Sequence, residues 1–123
     1  MGFFLDNIRR CIRICKENNV RIIVTVYPHR PQLEPDESGK MFHREVENMI
    51  RETCLAESCL FFSAYDGISR AFQADSQIYW PRDVDVHFSP KGQRVWADLV
   101  SDFVVPSVEN WSSNLSAQNS RLR

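Results

Sequence analysis

Two short apolar runs constrain this chain more than anything else in it. RIIVTVY spans residues 21–27 and CLFFSA spans 59–64. Both are brief and rich in β-branched or aromatic residues, so both read as strands. Neither alternates apolar with polar. Each is therefore expected to be covered on both faces, as in a parallel sheet with helices above and below. The segment between them, about 39–55, carries Phe42, Val46, Met49, Ile50 and Cys54 at helical spacing, with Arg44, Glu45, Glu47 and Arg51 set toward water. Strand, helix, strand favours parallel pairing through a crossover.

Other elements frame this unit. Phe4, Ile8, Cys11, Ile12 and Cys15 make the apolar stripe of a helix over 3–18, which Asn18-Asn19 stops. YDGISRAFQ, 65–73, reads as a short helix or turn, followed by a loop to about Phe88. Ser89 then suits an N-cap and Pro90 the first helical position. Val95, Leu99, Val100 and Phe103 form the buried stripe of this last helix, and Pro106 is expected to end it. Residues 1–105 thus read as the folded part, and 106–123 as a polar, disordered tail.

A chain of 123 residues holds one domain at most. With 43% hydrophobic and 25% charged residues it has the composition of a soluble globular protein, and a net charge of -1 gives no basic surplus for nucleic acid. No apolar run approaches the ~20 residues of a membrane span. Asp6, Arg9, Arg10 and Arg13 interrupt the start where a secretory signal would be apolar, so a cytoplasmic location is the default expectation. Asp6 also stands where a myristoylation site would carry Ser or Thr. Cysteines at 11, 15, 54 and 59 lack the spacing of a zinc knuckle. They are expected to be reduced thiols packed as small hydrophobes.

Two parallel strands leave too many backbone groups unpaired on their outer edges. Either the chain pairs with something, including a copy of itself through the open edge, or it is the later part of a larger α/β domain.

In open α/β sheets ligands bind beyond the carboxyl ends of the strands. His29 and Arg30 follow the first strand, Tyr65 and Asp66 follow the second, and Asp83, Asp85 and His87 precede the last helix. His87 is the strongest candidate. A histidine held by a carboxylate is fixed in one tautomer, as a general base for a serine requires. The bland alternative is a histidine that packs or caps in a loop. Arg30 has the fork that suits a carboxylate or phosphate, unless it and His29 are a solvated loop pair. Tyr79, Trp80 and Trp96 suit an acyl or sugar pocket or, equally, core packing. Asp66-Gly67 reads first as a turn. His43 carries no signal. If 83–87 were extended, Asp83, Asp85 and His87 would share one side, a minor metal-site alternative with His29 nearby. No metal or cofactor is expected.

The stretch DVHFSPKGQRVWADL resembles the last motif block of the SGNH, or GDSL-like, hydrolase superfamily. Asp85, His87, Ser89, Pro90, Gly92 and the stripe Val95/Trp96/Leu99 match it in order. The order helix, IIVTVYP strand, helix, FFSAYD strand, long loop also follows the later half of that family, over residues 3–104. The resemblance implies a partial three-layer, flavodoxin-like fold and an esterase or acyl hydrolase acting on a small-molecule ester. It makes His87 the base and Asp85 its orienter. The commonest family spacing puts Asp three residues before His, where Val84 stands, so Asp83 is kept in reserve. No Gly-Asp-Ser motif occurs, nor the family's Gly and Gly-x-Asn-Asp blocks. The expectation is therefore the C-terminal part of such a hydrolase, with the N-terminal strands and the nucleophile missing, inactive alone. The alternative is a non-catalytic α/β binding module derived from that fold.

Overall fold

The two apolar runs pair in parallel. β1 (Ile23–Val26) lies beside β2 (Leu60–Ser63), with Ile23 opposite Leu60 and Val26 opposite Ser63. The computed structural model describes residues 2–34, 44–81 and 83–121, with backbone alone from 111 onward. Four helices complete it: α1 (Gly2–Glu17), α2 (Glu45–Ala56), α3 (Tyr65–Ala74) and α4 (Pro90–Arg121). Short 3-10 turns stand at Arg30–Gln32 and Ser76–Ile78. The expected helical stretch 39–43, with Phe42 and His43, lies outside the described residues. The chain is mixed α/β and mostly helical around a two-stranded parallel sheet.

Alternation along the strands builds two cores. Ile22, Val24, Val26 and Phe61 pack against Leu5, Ile8 and Ile12 of α1 and Met49, Ile50 and Cys54 of α2. On the other side Phe62 meets Ile68 of α3, Ile78, Tyr79 and Phe88 of the loop, and Val95, Trp96 and Leu99 of α4. Phe103 stacks on Phe62 at 4.7 Å. The strands are nevertheless half-buried rather than buried as expected. Among the described residues each has one edge with no strand neighbour, so water reaches it.

Helices α1 and α2 end the same way. The Val20 N–H reaches the Cys15 carbonyl (2.7 Å) and the Asn19 N–H the Lys16 carbonyl (3.0 Å), while Cys59 and Ser58 do the same to Cys54 and Leu55. These paired reverse bonds are Schellman caps, which need a left-handed residue. Asn19 (φ 57) and Ser58 (φ 49) supply it without glycine.

Several sequence expectations need correction. Phe4 and Cys11 are exposed; of the expected stripe Ile12 is fully buried, and Leu5 joins it in the buried line of α1. Val46 also leaves the stripe of α2 and is exposed. Glu47 does not face water: it is 8% exposed. Arg44 donates to both its oxygens (2.7 Å each) and Arg51 to one (2.8 Å), which offsets the loss of solvent. Asp66-Gly67 is no turn but the first turn of α3, where Asp66 pairs with Arg44 at 2.8 Å. α4 does not stop at Pro106. A proline there deletes one backbone bond and loosens the turn before it. The Ser107 hydroxyl donates to the Phe103 carbonyl in that turn (2.7 Å).

Candidate active site

The His87 loop is closed at its base by aromatic pairing. Tyr79 and Phe88 form an isolated antiparallel bridge, and the Trp80 N–H donates to the His87 carbonyl at 3.2 Å. Val84 and Asp85 both donate backbone N–H groups to the Pro81 carbonyl (2.9 and 3.0 Å), so the proline starts a turn. This contradicts the extended geometry on which the metal alternative rested. Among the described residues no three His, Cys, Asp or Glu side chains gather as metal ligands would. Asp83 is exposed within the turn.

Two side chains fasten this loop to the exit of β1. The Tyr79 hydroxyl, 2% exposed as a residue, donates to the Pro28 carbonyl. Burial pushes its pKa up, which keeps it a donor. Arg30 donates through Nη1 to the Trp80 carbonyl (2.6 Å) and through Nε and Nη2 to Glu34 (3.0 Å each). Its fork is thereby used inside the protein rather than held open for a substrate. Neither clamp is legible in the sequence; the only hint is an aromatic at each end of the ten-residue stretch 79–88.

On the C-terminal side Ser89 anchors the loop to α4. Its hydroxyl donates to the Gln77 carbonyl (2.6 Å) and accepts from the Gly92 N–H (3.3 Å), while its own N–H donates to the Ile78 carbonyl (3.0 Å). It is therefore the expected N-cap of α4. Gly92 sits so close to Ile78 that an added Cβ would fall 1.9 Å from the carbonyl oxygen. Only glycine fits that approach, which explains a Gly three residues after this N-cap in physical terms.

Asp85 and His87 meet within that frame. The imidazole Nδ1 lies 2.5 Å from Asp85 Oδ1, and the His87 backbone N–H reaches the same oxygen at 3.1 Å. A carboxylate only accepts, so Nδ1 carries a proton, and in the neutral ring Nε2 keeps the lone pair. The hydrogen bond from His87 holds the Asp85 carboxyl below its ordinary range. The two-residue spacing works because one carboxylate accepts the backbone N–H two residues on and the ring above it, an Asx-type turn extended to the side chain. The imidazole is 67% exposed. Among the described residues no hydroxyl or thiol hydrogen-bonds to it.

Aromatic contacts connect most of the remaining candidates to Phe88 at the base of the loop. Tyr27 links them: its ring lies 5.9 Å from His29, 5.0 Å from Phe88 and 5.9 Å from Trp96. His29 is exposed, and its backbone N–H donates to Gln32 Oε1 (2.8 Å). Trp80, 42% exposed, borders an open groove of about 490 Å³ with Arg30, Ser76, Gln77, Tyr79, Pro81 and Ser89. Tyr79, though it also lines the groove, and Trp96 belong to the core. The Trp96 Nε1–H is buried without a hydrogen-bond partner among the described residues. No helix among them is long and apolar enough to cross a membrane.

In comparisons with protein-family models, curated proteins and solved structures, nothing matches this chain.

Proposed function

We propose that the chain supplies the Asp–His half of the catalytic triad of an SGNH-type ester hydrolase. Asp85 orients and His87 is the general base. The serine it serves comes from residues outside this chain, and Asp83 is the reserve orienter. The observation that carries this reading is the Nδ1–Oδ1 contact of 2.5 Å in a clamped loop beyond the carboxyl ends of two parallel strands. In such a site Nε2 takes the serine proton as oxygen attacks the ester carbonyl, then returns it to the leaving alcohol. A small ester substrate would lie against Trp80, whose backbone N–H holds the His87 carbonyl.

Helices on both faces of a parallel pair suit a flavodoxin-like, three-layer domain. The free edge of β1 and the orphaned Trp96 N–H both suit a sheet that continues past β1. A second reading, a non-catalytic binding module of the same fold, is favoured by the absence of a hydroxyl on the His87 ring among the described residues.

Nitrogen NMR of labelled protein tests the first reading. At neutral pH His87 is expected in the Nδ1–H tautomer, and Asp85→Asn should shift it toward Nε2–H, because the new amide donates where the carboxylate accepted. An Nε2–H tautomer in the unaltered chain would remove the orienting role of Asp85 and leave the binding-module reading.

A further inference from the structure

The Schellman cap of α2 has a cysteine at each end. Its bonds run from the Cys59 N–H to the Cys54 carbonyl (2.8 Å) and from the Ser58 N–H to the Leu55 carbonyl (3.0 Å). This cap brings the side chains at its two ends together, usually as an apolar contact. Here both are cysteines, and both belong to the core formed with α1 and α2; the Cys59 thiol itself donates weakly to the Ile22 and Leu60 carbonyls (3.6 and 3.4 Å). Cys54 is fully buried. Cys59 is half-exposed and opens onto a surface cleft lined also by Lys16, Val20, Ile22 and Leu60. Cys11 is exposed on α1 and outside the pair.

We propose that Cys54 and Cys59 form a reversible oxidative modification site, a dithiol that closes to an intrachain disulfide under a peroxide and reopens with a thiol reductant. The Cys59 thiolate, having given its proton to solvent, attacks one peroxide oxygen. The O–O bond breaks, the leaving hydroxide takes a proton, and Cys59 becomes a sulfenic acid. The Cys54 sulfur then attacks the sulfenic sulfur, loses its proton and expels water. Two thiols and one hydrogen peroxide yield one disulfide and two waters, the sulfurs losing two electrons and the peroxide gaining them. Cys59 reacts first because the oxidant reaches it; Cys54 resolves because the cap holds its residue beside Cys59.

The order of events also sets the rate. Burial pushes Cys54 up to about 11 and raises Cys59 as well, so little thiolate exists near neutrality. Closure should be slow near pH 7 and accelerate roughly tenfold per pH unit below the Cys59 pKa. The pair lies at the amino ends of the strands, whereas the His87 loop is fastened past their carboxyl ends. Its oxidation therefore stands or falls independently of the proposed function.

Trypsin releases both cysteines on one peptide, Glu52–Arg70, since no Lys or Arg lies between. The full chain is treated with hydrogen peroxide, alkylated, digested and weighed. The expected peptide is unalkylated and lighter by two hydrogens, the Cys11 peptide is alkylated, and dithiothreitol restores two alkylatable thiols. The oxidised chain should melt roughly 5–10 °C higher. Cys59→Ser, at a half-exposed position and checked by circular dichroism, should leave Cys54 alkylatable and abolish the shift. Cys54→Ala repeats the test from the buried side. Peptide 52–70 recovered with both thiols alkylated, with Cys59 over-oxidised, or with Cys59 linked to Cys15 would overturn the proposal.

Discussion

Single residues decide how firmly the loop around His87 is held. Gly92 has no room for a methyl group, since the obstacle is the Ile78 carbonyl and not a side chain that can turn away. Gly92→Ala is expected to destabilise the protein by about 3 kcal/mol, the upper end for overpacking. Gly67→Ala meets only the Leu99 side chain, which can move, and should cost about 1 kcal/mol or less. Urea denaturation of both variants checks the contrast; equal losses would mean that α4 does not abut Ile78. Glu47 is the second such residue. Burial raises its pKa, but hydrogen bonds from Arg44 and Ser63 and the charges of Arg44 and Arg51 outweigh burial and hold it below its ordinary 4.5. A carboxyl depressed on folding stabilises the protein above its unfolded pKa. That stability is lost as pH falls through the folded value. Glu47→Gln should therefore cost about 1–2 kcal/mol at neutral pH, Arg44 and Arg51 being partly solvated, and the cost should fade below about pH 4. Denaturation midpoints of the two proteins across pH 3–7 give the measurement. Glu47 was illegible in the sequence because its helix position points half outward; only its arginine partners, at three and four residues away, make burial affordable.

At the scale of elements, the periodic signals were readable and the ends less so. The two strands, the crossover helix and the Ser89–Pro90 start of α4 follow from local pattern, since their apolar residues and cap chemistry are contiguous. The passage of α4 through Pro106 was not readable. The compensating Ser107 hydroxyl is one of many serines in that stretch, and nothing local singles it out. The turn of residues 81–85 was likewise hidden, because Asp-x-Asp-x-His fits an extended strand as well as a turn until the Pro81 carbonyl is seen to take two N–H groups. The helix ends also carry a prediction. Ser58 occupies a left-handed cap position at φ 49 that glycine adopts without strain. Ser58→Gly should stabilise the chain by about 0.5–1 kcal/mol, the steric relief being larger than the added unfolded-state entropy. Thermal melts would show it as a higher midpoint, and a lower one would argue against a left-handed Ser58.

For the whole molecule, the proposed reading joins the open sheet edges to the Asp85–His87 pair. Among the described residues the outer edges of both strands have no strand neighbour, the Trp96 Nε1–H has no acceptor and the His87 ring has no hydroxyl partner; on the proposed reading, residues outside this chain supply all three. The Asp85–His87 pair was legible from sequence because its geometry is local, two residues apart. The clamps from Arg30 and Tyr79 were not, because they join segments fifty residues apart and no local pattern reports such contacts. Arg30 shows the consequence: its chemistry suited a substrate, and its position committed it to the loop. The most direct measurement is fluorophosphonate labelling of the purified chain, read by intact mass on protein shown to be folded by circular dichroism. An account in which His87 serves a serine from elsewhere predicts no adduct. A single adduct on a serine of this chain, lost in His87→Ala, would contradict it and place the whole triad within these 123 residues.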